Sequence, residues 1–312
     1  MVKIAAGVVL FNPNSITRVK ECLNNIAEQV AMLYIYDNST KEIGLEFPSN
    51  SIYITEKANR GIAHALNAIM SKAKDDGFDW VITLDQDSII PPGMVKSFKE
   101  IIEHSNEKLG IVCPQVIDRR RVYSRPTSLS GGGYVSKAIT SASCTSVKAW
   151  EKVGKFDEWL FIDLVDNEFC KRLVSSDYKI LKVNKWILDQ EFGVIEPKTE
   201  RQQIFWMKIS QFFHIPNLAK FAYKKEVSPF RVYYVHRNII YINRKLRHYG
   251  TVGFDSFNCK SYFGFLVCYT LPSVLRAQQK KKVISAIVRG TKDGLLSHPK
   301  QWIAPKSLSN TK

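Results

Sequence analysis

The 312-residue chain combines 45% hydrophobic residues with a formal net charge of +16 at pH 7. That length fits one large α/β domain plus an appendage, and the hydrophobic content excludes a globally disordered chain. The six cysteines form no C-x-x-C pair, which disfavours a zinc site and a disulfide framework and fits a reducing cytoplasm. The amino terminus lacks the features of a secretory signal, so we expect a cytoplasmic protein.

The charge is distributed unevenly along the chain. Residues 1–200 carry 25 Lys+Arg and 26 Asp+Glu, a net of −1, whereas residues 201–312 carry 20 and 3, a net of +17. Such asymmetry indicates a nucleic acid or an anionic membrane surface as a partner. We therefore predict a near-neutral domain of residues 1–200 and a basic, aromatic-rich helical region of residues 201–312.

Strand and helix patterns alternate through the first part of the chain. Four short apolar runs predict strands at residues 2–11, 33–36, 51–55 and 80–84. Helical stripes follow Ser15 and Gly61, so the sheet is predicted to be mostly parallel and covered by helices. Three strands end in Asn12, Asp37 and Asp85, and these ends are expected to line one cleft.

Two carboxylates follow the fourth strand. Asp85 and Asp87 are one residue apart, and in extended chain their side chains point to the same side. Two carboxylates at such a short separation repel each other unless a cation lies between them. In proteins that cation is usually a hard ion that also binds the phosphates of the substrate. The alternative is a helix cap or a solvated turn.

Further turns carry basic residues and glycines. A helix is predicted from Pro92–Gly93 to about Ser105, and a strand over residues 109–117. The basic run 119–121 is either a loop over the cleft or a solvated turn. The run 130–133 is either a tight turn or a phosphate cradle, although it lacks P-loop spacing.

Three acids lie near the start of a helix predicted to continue through Leu173. Asp163, Asp166 and Glu168 fit the preference of helix amino termini for negative charge. Three acids in six residues exceed what capping requires, so one of them is also a candidate general base facing the cleft.

The longest nearly uncharged run is residues 262–275. Its 14 residues fall short of the roughly 20 that span a bilayer. Flanking lysines and arginines favour a helix that lies in the membrane interface, and the alternative is a core helix.

Together these motifs resemble the inverting family 2 glycosyltransferases, which have the GT-A fold. The resemblance covers about residues 1–195 and rests on five motifs in the expected order: Phe11–Asn12, Asp37–Ser39, Asn59–Ala63, Asp85–Asp87, and the region from Val153 to Leu173. The run 161–168 and the run 228–234 are also similar to bacterial rhamnosyltransferases of surface-polysaccharide assembly.

This resemblance implies site residues. The predicted nucleotide-sugar site comprises Phe11, Asn12, Asp37, Asn38, Asn59, Arg60 and Asp85. Asp85 and Asp87 would hold Mg²⁺ or Mn²⁺, Asp166 would deprotonate the acceptor, and Asp163 and Glu168 would support it. Gln190 stands where related enzymes often have a histidine, which puts a metal or phosphate contact there in doubt.

The sequence therefore predicts a cytoplasmic glycosyltransferase on the inner face of the cell membrane. Its expected donor is a dTDP- or UDP-sugar, with dTDP-rhamnose first, and its expected acceptor is a lipid-linked glycan. The rivals are transfer of galactofuranose or a hexose, and a nucleic-acid-binding protein whose body binds nucleotides. A nucleotidyltransferase is disfavoured because residues 7–14 contain no Lys or Arg.

Overall fold

A computed structural model describes residues 1–41, 43–118, 126, 128–190 and 195–305. The basic run 119–121 and the segment 191–193 after Gln190 lie outside these residues. Within the described ranges, contacts separate a first unit, drawn mainly from residues 1–117 and 125–190, from a second unit, drawn mainly from residues 191–302. The predicted domain boundary near residue 200 stays a prediction.

The first unit is built on a mixed sheet, which has eight strands among the described residues. Its spatial order is β3-β2-β1-β4-β7-β5-β8-β6. The strands are β1 Ile4–Leu10, β2 Leu33–Asp37, β3 Ser51–Thr55, β4 Trp80–Asp85, β5 Leu109–Ile117, β6 Gly132–Val135, β7 Ser143–Ser146 and β8 Lys179–Asp189.

The first four strands are parallel, which confirms the predicted α/β class. Strand β1 lies between β2 and β4, with Leu10 beside Asp37 and Val9 beside Asp85. The polar ends of these strands therefore share one edge of the sheet. Strand β7 runs antiparallel between β4 and β5, so the sheet is mostly rather than entirely parallel.

Helices cover the sheet because each buries an apolar stripe. The Ser15 side chain caps α1, and Val19, Leu23 and Ile26 are buried as their spacing predicts. The helices of the first unit are α1 Ile16–Ala27, α2 Ile62–Asp75, α3 Met94–His104, α4 Val147–Val153 and α5 Val165–Val174.

The second unit is mostly helical and contains a short antiparallel pair of strands. The pair is β9 Ile195–Pro197 with β10 Tyr223–Lys225. Its helices are α6 Glu200–Phe212, α7 Pro216–Ala219, α8 Pro229–Lys245, α9 Tyr262–Phe265, α10 Leu271–Arg276 and α11 Lys280–Leu296.

Helices α9 and α10 are continuous through a π turn at Leu266–Thr270. Pro272 lacks a backbone N–H, so a regular helical bond is lost near this turn. Phe263, Val267, Leu271 and Leu275 recur every four residues and are 77%, 49%, 53% and 58% exposed. By contrast, Phe265 in the same helical segment is fully buried. No helix in the described ranges is long and apolar enough to cross a bilayer.

The cysteines differ between the two units. In the first unit all four thiols are buried; they belong to Cys22, Cys113, Cys144 and Cys170. Burial raises the thiol pKa above its ordinary value, to about 12 for Cys113. The second unit carries Cys259 and Cys268, both of which are partly exposed.

Helices α8 and α11 pack closely because glycines face the contact. A Cβ added at Gly290 would lie 2.4 Å from the carbonyl oxygen of Tyr233. We expect Gly290→Ala to lower the free energy of unfolding by about 1–3 kcal/mol, since forced overpacking outweighs the better helix propensity of alanine. Urea denaturation checks this expectation.

The matched control is Gly133→Ala, where an added Cβ meets nothing within 4 Å. It should leave stability nearly unchanged. Equal stability of the two variants would mean that the helices separate at no cost.

Candidate active site

The fourth strand ends at Asp85, and a tight turn carries the next acid. The N–H of Ser88 donates to the Asp85 carbonyl at 3.1 Å, so Asp87 lies in this turn and not in extended chain. Asp85 and Asp87 therefore do not follow the side-chain alternation of a strand, contrary to the prediction. Arg18 Nε donates to the Asp87 carbonyl at 2.9 Å and holds the turn against α1.

The charges of both acids act on the buried thiol of Cys22 in α1. The Cys22 thiol donates to the Asp85 carbonyl at 3.6 Å. Burial raises the pKa of this thiol to about 12, and the negative charges of Asp87 and Asp85 both add to the rise. Both acids therefore lie within electrostatic range of the Cys22 thiol, although their turn differs from the predicted strand.

Gln86, between the two acids, fixes their loop to the end of β1. Its Oε1 accepts from the Phe11 N–H at 2.9 Å and its Nε2 donates to the Phe11 carbonyl at 3.3 Å. Phe11 itself is 44% exposed. Sequence reasoning gave Gln86 no role, because an amide inside an Asp-x-Asp motif carries no signal of its own.

Gln190 contacts the acidic motif directly. Its Nε2 donates to Asp85 Oδ2 at 3.1 Å, and its Oε1 accepts from Ser88 Oγ at 2.8 Å. Ser88 Oγ also lies 2.8 Å from Ser141 Oγ, which accepts from the Asp85 N–H at 3.2 Å. This closed network sets the rotamer of Asp85, so Gln190 orients the acid from the position where the resemblance leads one to expect a histidine.

The residues at the end of β2 that are predicted to bind the nucleotide are buried and hydrogen-bonded within the protein. Asp37 Oδ1 accepts from the Ser39 N–H and its Oδ2 from the Tyr53 hydroxyl, at 2.8 and 2.7 Å. The Asn12 N–H donates to Ser39 Oγ at 2.8 Å. Asp37 therefore shapes the loops after β1 and β2, and only 1% of it is exposed.

Asn38 joins this edge to the start of α2. Its Oδ1 accepts from the Arg60 N–H and its Nδ2 donates to the Gly61 carbonyl, both at 3.1 Å. Asn59 Oδ1 accepts from the Gly61 N–H at 3.0 Å. The structure thus brings together Asn38, Asn59 and Arg60, whose place in a nucleotide-sugar site stays a prediction.

Gly61 allows α2 to approach the segment before α5. Its φ is +87°, and a Cβ there would lie 2.6 Å from the Phe161 carbonyl oxygen, which accepts from the Ile62 N–H at 2.7 Å. A side chain at this position would therefore separate the Arg60 loop from the segment that carries Asp163.

A histidine in α2 lies between two carboxylates and reinforces the contact of α2 with the segment before α5. His64 Nε2 lies 2.7 Å from Glu56 Oε1, and its Nδ1 lies 2.8 Å from Glu158 Oε2. Burial lowers the pKa of His64, but the bonds and charges of Glu158 and Glu56 outweigh burial and raise it. Arg60 Nε also donates to Glu56 at 2.9 Å.

Asp166 lies in the first turn of α5. Its half-buried carboxylate accepts from the Asn167 N–H at 2.9 Å. Burial raises its pKa to about 6, against the lowering effect of that bond, and the nearby charge of Asp163 raises it further. Asp163 and Leu164 have left-handed backbones, with φ of 65° and 63°, which indicates local strain.

Glu168 has a different environment from the other two acids. Its carboxylate forms a two-point ion pair with Arg172, at 2.7 Å to Nε and 2.6 Å to Nη2, and both side chains are at most 1% exposed. Arg172 also donates to the carbonyls of Val153 and Lys155 at 2.6 Å. The pair joins α5 to α4, so we correct the expectation of catalytic support and assign Glu168 a structural role.

Within the described ranges, no group of three or more His, Cys, Asp or Glu side chains is close enough to hold a metal. Asp85 and Asp87 offer two carboxylates. That number suits Mg²⁺ or Mn²⁺, which take one or two protein carboxylates together with substrate phosphates.

Comparison with known proteins shows which family the first part of the chain is similar to. A model described as Glycosyl transferase family 2 matches residues 8–154, which include the strand-end residues Phe11, Asp37 and Asp85. Over 190 residues the chain is 28% identical to the dTDP-rhamnosyl transferase RfbF of Shigella flexneri. Residues 8–154 of this chain are therefore similar to glycosyltransferase family 2.

The match to RfbF covers 55% of this chain and 63% of RfbF, less than two thirds of that relative's length. Among solved structures, GalNAc-T7 is similar over 86% of this chain and 57% of its own, with 10% identity and a TM-score of 0.51, which shows a shared GT-A fold. S. aureus TarS 1-349 is similar over 94% of this chain and 89% of its own, with 11% identity and a TM-score of 0.47.

The buried pair of Glu168 and Arg172 yields a stability prediction. Glu168→Gln leaves the Arg172 guanidinium buried without a counter-charge, so we expect the free energy of unfolding to fall by about 3–5 kcal/mol. The control is Glu21→Gln, which removes one partner of an exposed pair with Arg18 and should cost at most about 1 kcal/mol. Denaturant melts of both variants measure the difference, and losses of equal size would reject the structural role.

Proposed function

We propose that this protein is a metal-dependent, inverting glycosyltransferase that moves rhamnose from dTDP-rhamnose to a lipid-linked glycan in surface-polysaccharide synthesis. The observation that carries the proposal is the Asp166 carboxylate, half-buried, with a pKa raised to about 6, in the same unit as the Asp85 and Asp87 pair. The choice of rhamnose is supported by the likeness to RfbF.

Asp166 would act as the general base. A hydroxyl is a poor nucleophile at neutral pH, so a carboxylate poised near the working pH accelerates its attack. The acceptor oxygen forms a bond to the anomeric carbon while the bond to the diphosphate breaks. The diphosphate leaves with the electron pair, the proton passes to Asp166, and direct displacement inverts the anomeric centre.

Asp85 and Asp87 would hold Mg²⁺ or Mn²⁺ against the diphosphate, a proposal supported by the Mn²⁺ in the GalNAc-T7 structure. The bound ion supplies Lewis-acid stabilisation of the leaving group. Gln190 would keep Asp85 in its ligating rotamer. Phe11, Asn12, Asp37, Asn38, Asn59 and Arg60 would form or shape the nucleotide-sugar site, and Asp163 would tune Asp166.

The second unit would bind an anionic membrane surface at the inner face of the cell membrane. Its support is the exposed apolar stripe at Phe263, Val267, Leu271 and Leu275, together with the basic residues that flank it. Apolar side chains and lysines on one helical surface are typical of interfacial helices. A nucleic acid is not among the proposed partners.

A panel of sugar nucleotides tests the donor. We expect dTDP-rhamnose with Mn²⁺ or Mg²⁺ to give the largest thermal shift, and product mass to show one added deoxyhexose. A larger shift with a UDP-sugar would instead favour the rival galactofuranosyl or hexosyl transfer; UDP is bound in a TarS structure and in the GalNAc-T7 structure.

Asp166→Asn should lower kcat by about 10²–10⁴-fold while donor binding is retained, because only the proton acceptor is lost. In the unsubstituted enzyme kcat/KM should rise as pH increases through about 6, the raised pKa of Asp166, since the base acts deprotonated. A pH-rate profile measures both effects.

Asp163→Asn is the control for that profile. Removing its negative charge lowers the pKa of Asp166, so the acid limb should move to lower pH. Unchanged turnover of Asp166→Asn would reject its role as the base.

Asp87→Asn should weaken metal-dependent donor binding, because one of two ligating carboxylates is neutralised. Thermal shift with dTDP-rhamnose, with and without Mn²⁺, is the measurement. Asp75→Asn on the exposed end of α2 makes the same charge change away from the site and should keep the full shift. A shift in Asp87→Asn as large as in the unsubstituted protein would remove this residue from the metal site.

A further inference from the structure

The second unit contains a cavity of about 330 Å³ near the carboxyl ends of α8 and α11. It is open to solvent and lies at the small end of the range for ligand pockets. Its lining residues are Asn243, Arg244, Arg247, His298, Pro299 and Gln301. These six residues include two guanidiniums and an imidazole but no carboxylate, so the cavity is an environment for an anion.

Hydrogen bonds fix the wall of the cavity. Asn243 Nδ2 donates to the carbonyls of Ile239 and Val252 at 2.7 and 3.0 Å, and its Oδ1 accepts from the Val252 N–H at 3.0 Å. This amide braces the wall and has little capacity left for a ligand. The cavity is thus shaped before any ligand enters.

Arg244 counters the negative end of α11. Its Nη1 donates to the carbonyls of Gly294, at 3.2 Å, and Leu295. Carbonyls at a helix carboxyl end repel anions, and a guanidinium bonded to them offsets that repulsion. Arg244 therefore lines the cavity in a fixed position, with further N–H groups on the same planar fork.

Arg247 supplies the second guanidinium. Its Nε donates to His248 Nε2 at 3.1 Å, which orients the group and leaves its two terminal nitrogens for a ligand. In the part of the chain that the structure describes, no carboxylate forms an ion pair with Arg244 or Arg247. Only three acids occur in residues 201–312.

We propose that this cavity binds the phosphoryl headgroup of a lipid. Two guanidinium forks and an imidazole match the several oxygens of a terminal phosphate better than the two oxygens of a carboxylate. A lipid is favoured over free phosphate because Leu295 and Leu296, beside the carbonyl anchor of Arg244, are 58% and 61% exposed. Such leucines can contact acyl chains beneath the headgroup. The proposal does not depend on the transfer chemistry.

Flotation of the 312-residue chain with phosphatidylcholine vesicles tests the site. One set contains phosphatidic acid, which presents a terminal phosphate, and the other contains phosphatidylserine at matched vesicle charge. We expect the unsubstituted protein to bind phosphatidic acid vesicles more tightly than phosphatidylserine vesicles. Arg247→Gln should weaken binding to phosphatidic acid vesicles about tenfold and abolish the preference for them. Arg247 is exposed, so the variant should melt like the unsubstituted protein.

The matched control is Lys281→Gln, an equal charge loss on α11 outside the cavity lining. It should weaken binding to both vesicles alike, by no more than about fivefold, and keep the preference. Equal behaviour of the two variants, or no preference in the unsubstituted protein, would overturn the site.

Two further experiments distinguish a lipid headgroup from free phosphate as the ligand, and distinguish this site from the proposed transfer activity. Tight calorimetric binding of inorganic phosphate or pyrophosphate without any preference among vesicles would overturn the lipid assignment. Asp166→Asn should bind vesicles as the unsubstituted protein does. Loss of transfer with retained lipid preference would therefore leave this site intact, and intact transfer without lipid preference would reject this site alone.

Discussion

The parallel pairing of β1 with β2 and β4 is the constraint on which the candidate site depends. Because these strands run in the same direction and in fixed register, Leu10 lies beside Asp37 and Val9 beside Asp85. A one-residue slip would turn every side chain of β1 to the opposite face. Strand β1 is buried along its whole length, so apolar burial on both faces fixes the direction and register that bring the polar strand ends together.

The sequence was informative wherever a local pattern decides structure. Apolar runs and residue spacing predicted the first four strands, the apolar stripe of α1 and the acids at the start of α5. It failed at Asp87 and Glu168 because their geometry depends on residues far from the motif. Asp87 lies in a turn held by Arg18, and Glu168 faces inward to a guanidinium whose other bonds reach Val153 and Lys155.

Long-range contacts also explain which supporting residues could not be predicted. Gln190 reaches Asp85 across 105 positions of the chain, and the Ile62 N–H reaches the carbonyl of Phe161. Neither contact follows from spacing. Only the resemblance drew attention to position 190, through the missing histidine, and the structure supplies a physical reason for the amide: it can donate to one acid while it accepts from Ser88.

The uneven burial of the thiols has a practical consequence. The four cysteines of the first unit are buried and resist ionisation, so a maleimide would react first at Cys259 and Cys268. Cys268 directly follows Val267 of the exposed apolar stripe. The native chain thus carries its own attachment point for a polarity-sensitive fluorophore on the surface expected to meet lipid, without any engineered mutation.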